Sequence, residues 1–270
     1  MKRGEAVALV TIVRASGSTP QRTGAKMLVF ADGRIVGTIG GGCYENDAFW
    51  KAREAINTGR PSLLHYDLND DFAQENGLIC GGQMDVHVDP LIPSPHLFII
   101  GAGHVAWHLA RAASEADFRV HVVDDREKFA NRERFPNAEA VVVTPIGEWL
   151  HAADLPASAY VVIVTRGHQN DLESMRALAA RDLRYVGLIG SRAKVTRIYN
   201  ALIAEGMPVE CLRRVHAPIG LNIGAVTPAE IAISILAQLI AVRRGIDTTS
   251  LAMAAPRLKS TVPSTPVEDI

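Results

Sequence analysis

The chain has 270 residues, 48% of them hydrophobic, and 28 basic side chains against 29 acidic ones, for a net charge of −1. That is enough sequence for two domains with buried cores. The charge balance argues against nucleic-acid and anionic-membrane partners, which need a strong basic excess. Cys43, Cys80 and Cys211 are few, odd in number and far apart, so no disulfide framework is expected and a reducing cytoplasm suits them.

Val7 to Val13 is a β-branched apolar run that ends before Gly17-Ser18-Thr19-Pro20. Lys2 and Arg3 ahead of it resemble the start of a signal peptide, but Glu5 and Arg14 bracket the run and no clean cleavage site follows. It reads as a buried strand and a turn. Lys26 to Phe30 and Arg34 to Ile39 flank Asp32-Gly33, a hairpin signal. Glu45 to Ile56 has helical periodicity and is stopped by Gly59 and Pro61. Gln83 to Asp89 alternates apolar and polar residues, as a half-buried strand does. Pro90, Pro93 and Pro95 then crowd six residues, which predicts a linker over 91–96 after a small α+β domain over 1–90.

Beyond the linker the rhythm changes. Leu97 to Ile100, Val120 to Val123, Val141 to Val143, Tyr160 to Val164 and Tyr185 to Ile189 are short apolar strands. Helical stretches such as Asp171 to Ala180 and Arg192 to Ala204 separate several of them. Strands alternating with helices predict an α/β domain with a parallel sheet covered on both faces, over 97–246. Thr227-Pro228-Ala229-Glu230 is a capping box that opens a long helix to Arg243. Its apolar stretch, Ile231 to Val242, is too short to span a bilayer. Residues 247–270 turn rich in Ala, Thr, Ser and Pro and are expected to be a disordered tail.

Five segments carry candidate chemistry. Gly101-x-Gly103-x-x-Ala106, with His104 inside it, joins a strand to a helix, and Asp124 ends the next strand. This is the Rossmann-type dinucleotide turn: phosphate on the helix N-terminus, Asp124 on a ribose hydroxyl. A nucleotide fold with an unused pocket has the same text. Gly40-Gly41-Gly42-Cys43-Tyr44-Glu45 offers backbone N–H groups to an anion and sets Cys43 near a helix start, where thiolate is favoured. Cys80-Gly81-Gly82-Gln83 repeats the cysteine–glycine pairing. Two such sites suggest that Cys43 and Cys80 meet at one ligand, holding a soft metal or handling sulfur. Gly17 to Lys26 is a polar loop whose Arg22 and Lys26 suit a phosphate clamp. Thr165-Arg166-Gly167-His168 follows a parallel strand, at the edge where such sheets bind ligands, so Arg166 and His168 are candidates for phosphate or proton handling. His65 and His121 show no ligand spacing and receive no role.

Taken together the sequence resembles the XdhC/CoxI family. The resemblance rests on Gly17 to Pro20, on GTIGGGCYE at 37–45, LICGGQMDVHVDP at 78–90, FIIGAGHVA at 98–106, VTRGH at 164–168, YVGLIGSRAK at 185–194 and HAPIGLNIGAVTPAEIAISILAQLIAVRRG at 216–245. It implies a maturation factor rather than a turnover enzyme, one that binds molybdenum cofactor, as molybdopterin or its cytosine dinucleotide form. It further implies help with sulfuration of that cofactor alongside a cysteine desulfurase, and insertion into an apo molybdenum hydroxylase such as xanthine dehydrogenase. Cys43 and Cys80 would then face the metal or sulfur end, and a homodimer is expected. The alternative from the residues is an NAD(P)-dependent oxidoreductase built on Gly101 and Asp124, with His168 as its proton carrier.

Overall fold

The computed structural model describes residues 5–68 and 81–253. The chain divides into two compact units, Met1–Pro93 and Ser94–Ile270, and each is taken by itself.

The first unit is a five-stranded sheet in the order β3-β2-β1-β5-β4, made of β1 (Val7–Gly17), β2 (Lys26–Phe30), β3 (Ile35–Gly37), β4 (Ser62–Asp67) and β5 (Gly82–Leu91). Every pairing is antiparallel. Helix α1 (Gly42–Thr58) ends on Gly59 in the left-handed conformation, the cap that glycine takes without a Cβ penalty. It lays Ala48, Ala52, Ala55 and Ile56 on Val10, Ile12, Val86 and Val88, so the sheet buries one face of alternating residues.

Three differences from the sequence reading bear on the site and on the domain boundary. Helix α1 begins at Gly42, three residues before Glu45, so part of the glycine run is helical. Strand β4 was not foreseen. Strand β5 runs through Pro90 to Leu91, into the expected linker. That is tolerated because β4 pairing stops at Val88, so Pro90 lacks an N–H where no β4 residue pairs with it.

The second unit is a parallel sheet in the order β10-β9-β6-β7-β8. Its strands are β6 (His96–Ile100), β7 (Arg119–Asp124), β8 (Ala140–Val143), β9 (Tyr160–Ile163) and β10 (Tyr185–Leu188). In order of appearance this is the doubly wound 3-2-1-4-5 arrangement, whose switch point lies between β6 and β9. Leu97 and Ile99 face α2 (His104–Glu115) and α7 (Pro228–Arg243). Phe98 and Ile100 face the side covered by α3 (Ile146–Ala152), α4 (His168–Leu178) and α5 (Arg192–Ala204). Strands β6, β9 and β10 are almost wholly buried, which is why they read as apolar runs. Short α6 (Val209–Arg213) precedes a segment bridged in parallel to β10 at Gly187 and His216.

The capping box at Thr227 and Glu230 forms as read. Residues 247–253, expected as tail, belong to the fold: Asn222 donates to the Leu251 carbonyl at 2.7 Å, and Leu221 bridges Ala252. These backbone pairings outweigh the polar composition. The rest of the expected tail lies outside the described residues. No helix among the described residues is long and apolar enough to cross a membrane.

Buried Gln238 locks α7 onto the sheet. Its Oε1 accepts from the Tyr185 hydroxyl at 2.6 Å and from the Gly220 N–H at 2.8 Å. Gln238→Leu strands both buried donors, so the variant is expected to lose about 2–4 kcal/mol. Chemical denaturation checks this; a loss under about 1 kcal/mol means water replaces the amide.

Candidate functional site

In the first unit, three loops gather at one end of the sheet. A Cβ on Gly17 would meet the Gly81 carbonyl oxygen at 2.8 Å, and one on Gly82 would meet the Ser18 carbonyl oxygen at 2.7 Å. Pro20 packs on Gly40 just as tightly. These glycines are therefore fixed by close contact with neighbouring loops. Arg22 and Lys26 are exposed there, and the Lys26 ammonium donates to its own loop's Gly24 carbonyl at 3.2 Å.

The glycine run itself holds a carboxylate from the same chain. Glu45 Oε2 accepts from the Thr38 hydroxyl at 2.5 Å, the Ile39 N–H at 2.9 Å and the Gly41 N–H at 3.1 Å. Of the expected anion cradle of Gly40, Gly41 and Gly42, the Gly41 N–H is thus taken by Glu45, and the Gly40 N–H donates to the Thr38 hydroxyl at 3.0 Å. The reason is reach: a side chain in the first turn of α1 folds back over the loop that precedes it. Burial opposes its charge, but the donors from Thr38, Ile39 and Gly41 outweigh burial and hold the carboxyl below the usual glutamate range.

A depressed carboxyl adds stability that is complete above its ordinary value of 4.5 and is lost as pH falls through the lower native one. Wild type should therefore lose more stability than Glu45→Gln below that pH. Parallel acid-unfolding curves would show that the loop does not depend on the charge.

With its loop held, Cys43 stands in the first turn of α1, half-buried with a free thiol. It lines an open cleft of about 500 Å³ with Tyr44, Asn46, Asp47, Trp50, His65, Tyr66 and Asp67. Tyr44 and Tyr66 meet edge to face at 5.2 Å. The Tyr66 hydroxyl donates to Asp47 at 2.7 Å, and burial followed by that bond pushes it far above the usual tyrosine range. It therefore stays protonated and neutral. His65 contacts Asp85 at 2.6 Å. The cleft thus combines a thiol with aromatic and polar side chains. Trp50, His65 and Tyr66 were missed by sequence reasoning, because β4 brings two of them and carries no motif.

In the second unit, Gly101 sits at φ +108°, and a Cβ there would meet the Val164 carbonyl oxygen at 2.6 Å. A Cβ on Gly103 would meet nothing within 4 Å. Ala106 is fully buried under the helix. The three positions divide as the motif requires: tight turn, open approach, close packing. His104, Arg166 and His168 are exposed.

Asp124 departs from its expected role. It is 1% exposed, and its carboxylate accepts from the Ala102 N–H at 2.7 Å and from the Arg126 guanidinium at 2.8 Å on each oxygen. Burial opposes ionisation, but Arg126 and the Ala102 N–H prevail and keep its carboxyl below the usual range. Asp124 therefore braces the glycine turn instead of presenting free oxygens to a ribose. With Asp125, Arg126, Thr165, Arg166 and Asn170 it lines a small polar cleft of about 40 Å³. Arg126, unforeseen from the sequence, brings a second cation beside Arg166.

Two family models match the chain: the XdhC Rossmann domain over residues 97–239 and the XdhC and CoxI family over residues 1–67. The chain belongs to the XdhC and CoxI family. The uncharacterized protein YqeB of Escherichia coli (strain K12) is 38% identical over 87% of this chain, which spans 43% of YqeB's length. The molybdenum cofactor insertion chaperone PaoD of the same organism is 27% identical, over 89% of this chain and 84% of PaoD. A Bacillus halodurans crystal structure described as a xanthine dehydrogenase superposes with a TM-score of 0.53 at 25% identity, over 92% of this chain and 94% of that chain.

For this XdhC and CoxI family member, the structure brings together Gly17, Gly40, Gly81 and Gly82 in one unit. It also brings Gly101, Asp124 and Arg166 to one sheet edge in the other. Cys80 lies outside the described residues.

Proposed function

We propose that this chain is an accessory factor that carries molybdenum cofactor as cargo, protects it, supports its sulfuration and inserts it into a xanthine dehydrogenase-like molybdenum hydroxylase. The observation that carries this reading is the Cys43 cleft. Its volume is that of a small-molecule site. A thiol suits a soft metal and its sulfur ligands. Tyr44, Trp50 and Tyr66 suit a flat pterin ring, and Asn46, Asp47 and His65 its polar edge. Glu45 and the Thr38 hydroxyl already take the Gly41 and Gly40 N–H groups, which argues against placing the cofactor's phosphate on them. Membership of the family and likeness to PaoD support the same role.

Cys80 is proposed as the second thiol at the metal end, and a cysteine desulfurase as the sulfur donor. We also propose a homodimer, supported by the exposed Ile223, Val226, Ile233 and Leu251 at and near α7. A reducing cytoplasm suits the free thiols of Cys43 and Cys211. The test is anaerobic incubation with molybdopterin cofactor, removal of the unbound fraction, then metal analysis and pterin fluorescence of the denatured protein. Wild type should retain both signals. Equal retention by Cys43→Ala, Cys80→Ala would remove the thiols from the site.

A second reading, an NAD(P)-dependent activity, is favoured by the Gly101, Gly103 and Ala106 geometry. Saturable NAD(P)H binding that Gly103→Val abolishes would support it. Absence of binding leaves the turn as scaffold.

A further inference from the structure

The amino-terminal edge of the parallel sheet is the end opposite the Gly101 turn. It carries a cluster that the proposed function does not use. His96 opens β6 and pairs in register with Arg119 of β7, and Phe98 pairs with His121. The two imidazoles stack at 5.1 Å, and His121 stacks on Phe98 at 4.6 Å. His96 Nδ1 and His121 Nε2 lie 2.9 Å apart. Glu139, just before β8, adds a carboxylate, so that one ligand atom from each residue lies within 4.8 Å of the others. The three residues come from three adjacent chain segments of one sheet, a rigid support.

Two nitrogens bound to one tetrahedral ion at about 2.0–2.1 Å sit about 3.3–3.4 Å apart. The imidazole nitrogens, 2.9 Å apart, need to open by only about 0.4 Å to reach this. Glu139 is farther off, but its side chain is 38% exposed and free to swing. Arg119 currently lies across its carboxylate with two nitrogens. Both partners of that pair are exposed, so water screens it and it holds weakly. An ion seated on the imidazoles can take the carboxylate from Arg119.

We propose that His96, His121 and Glu139 form a divalent transition-metal site, for which zinc(II) is the ion best suited. Two imidazoles and one carboxylate are its ordinary donors, with a position left for water. Such an ion ties the starts of β6 and β7 to the segment leading into β8. The proposal uses no thiol and stands apart from the cofactor reading.

The experiment uses the full chain without a histidine tag, stripped of metal, with Cys43, Cys80 and Cys211 changed to serine. Zinc(II) is titrated by calorimetry and cobalt(II) by absorption. One ion per chain is expected, with ligand-field bands, no sulfur charge-transfer band, and a higher unfolding temperature in zinc. Losing a supporting partner of a metal ligand costs about 10–100-fold in affinity, so His96→Asn and His121→Asn should each weaken zinc by at least roughly tenfold. Arg119→Met should tighten it, because the carboxylate loses its competitor. If the serine variant fails to fold, the cobalt spectrum of the wild-type chain separates nitrogen and oxygen ligands from thiolate. Absence of stoichiometric uptake, or unchanged affinity in His121→Asn, overturns the proposal and leaves two imidazoles sharing a proton.

Discussion

Gly101→Ala should destabilise the carboxy-terminal unit by roughly 3–5 kcal/mol, the sum of backbone strain and overpacking. At φ +108° a Cβ is strained in any case, and here it would also press on the Val164 carbonyl and the Thr165 Cα at 2.6–2.9 Å. The atoms it meets are backbone at the switch point between β6 and β9, so no side chain can rotate away. Gly103→Ala is the control. It has ordinary φ of −71° and open space around the new methyl, so its cost should stay under about 1 kcal/mol. The pair separates scaffold from site. If Gly103→Ala leaves stability intact and weakens a phosphate-bearing ligand, the turn binds that ligand. Urea denaturation monitored on both variants gives the comparison; equal stability of the two would mean that the strand ends move apart to admit the methyl.

Cys43→Ser is expected to lower retention of molybdenum and pterin by about tenfold or more, in line with losing support at a metal site. Serine keeps the shape of the thiol but replaces a soft donor with a hard, protonated one. The residue is half-buried in the first turn of α1, so stability should change by under about 1 kcal/mol. Trp50→Ala addresses the aromatic lining of the cleft. It removes an exposed ring, 58% accessible, and should reduce pterin retention while leaving Cys43 in place. Loss of metal without loss of pterin in Cys43→Ser would assign the two ends separately. Unchanged retention of both would move the cargo site elsewhere.

Much of the fold was legible because burial leaves a mark on composition. Strands β6, β9 and β10 of the second unit are almost wholly buried and read as apolar runs. Asp32-Gly33, Gly59 and the Thr227 capping box are local devices whose chemistry acts over three or four residues. Strand β4 escaped because its alternation rests on Leu64 and Tyr66, with Leu63 exposed at the sheet edge. Pro90 misled because its tolerance depends on where the neighbouring strand stops. Residues 247–253 looked like tail because their partners, Leu221 and Asn222, are about thirty residues away.

The cysteine–glycine pairing at Cys43 drew notice from sequence because a run of three glycines is costly without a backbone reason. The glycine turn at Gly101 did so through its strand and helix context. Sequence by itself determined where the chain must bend sharply and which thiol stands at a helix start, since both follow from neighbouring residues. The tertiary structure decided what fills those places. Glu45 returns over its own loop, Asp124 closes on Arg126, and Trp50, His65 and Tyr66 converge beside Cys43. A polar group's partner is chosen by distance in space, and packing of the sheet sets those distances.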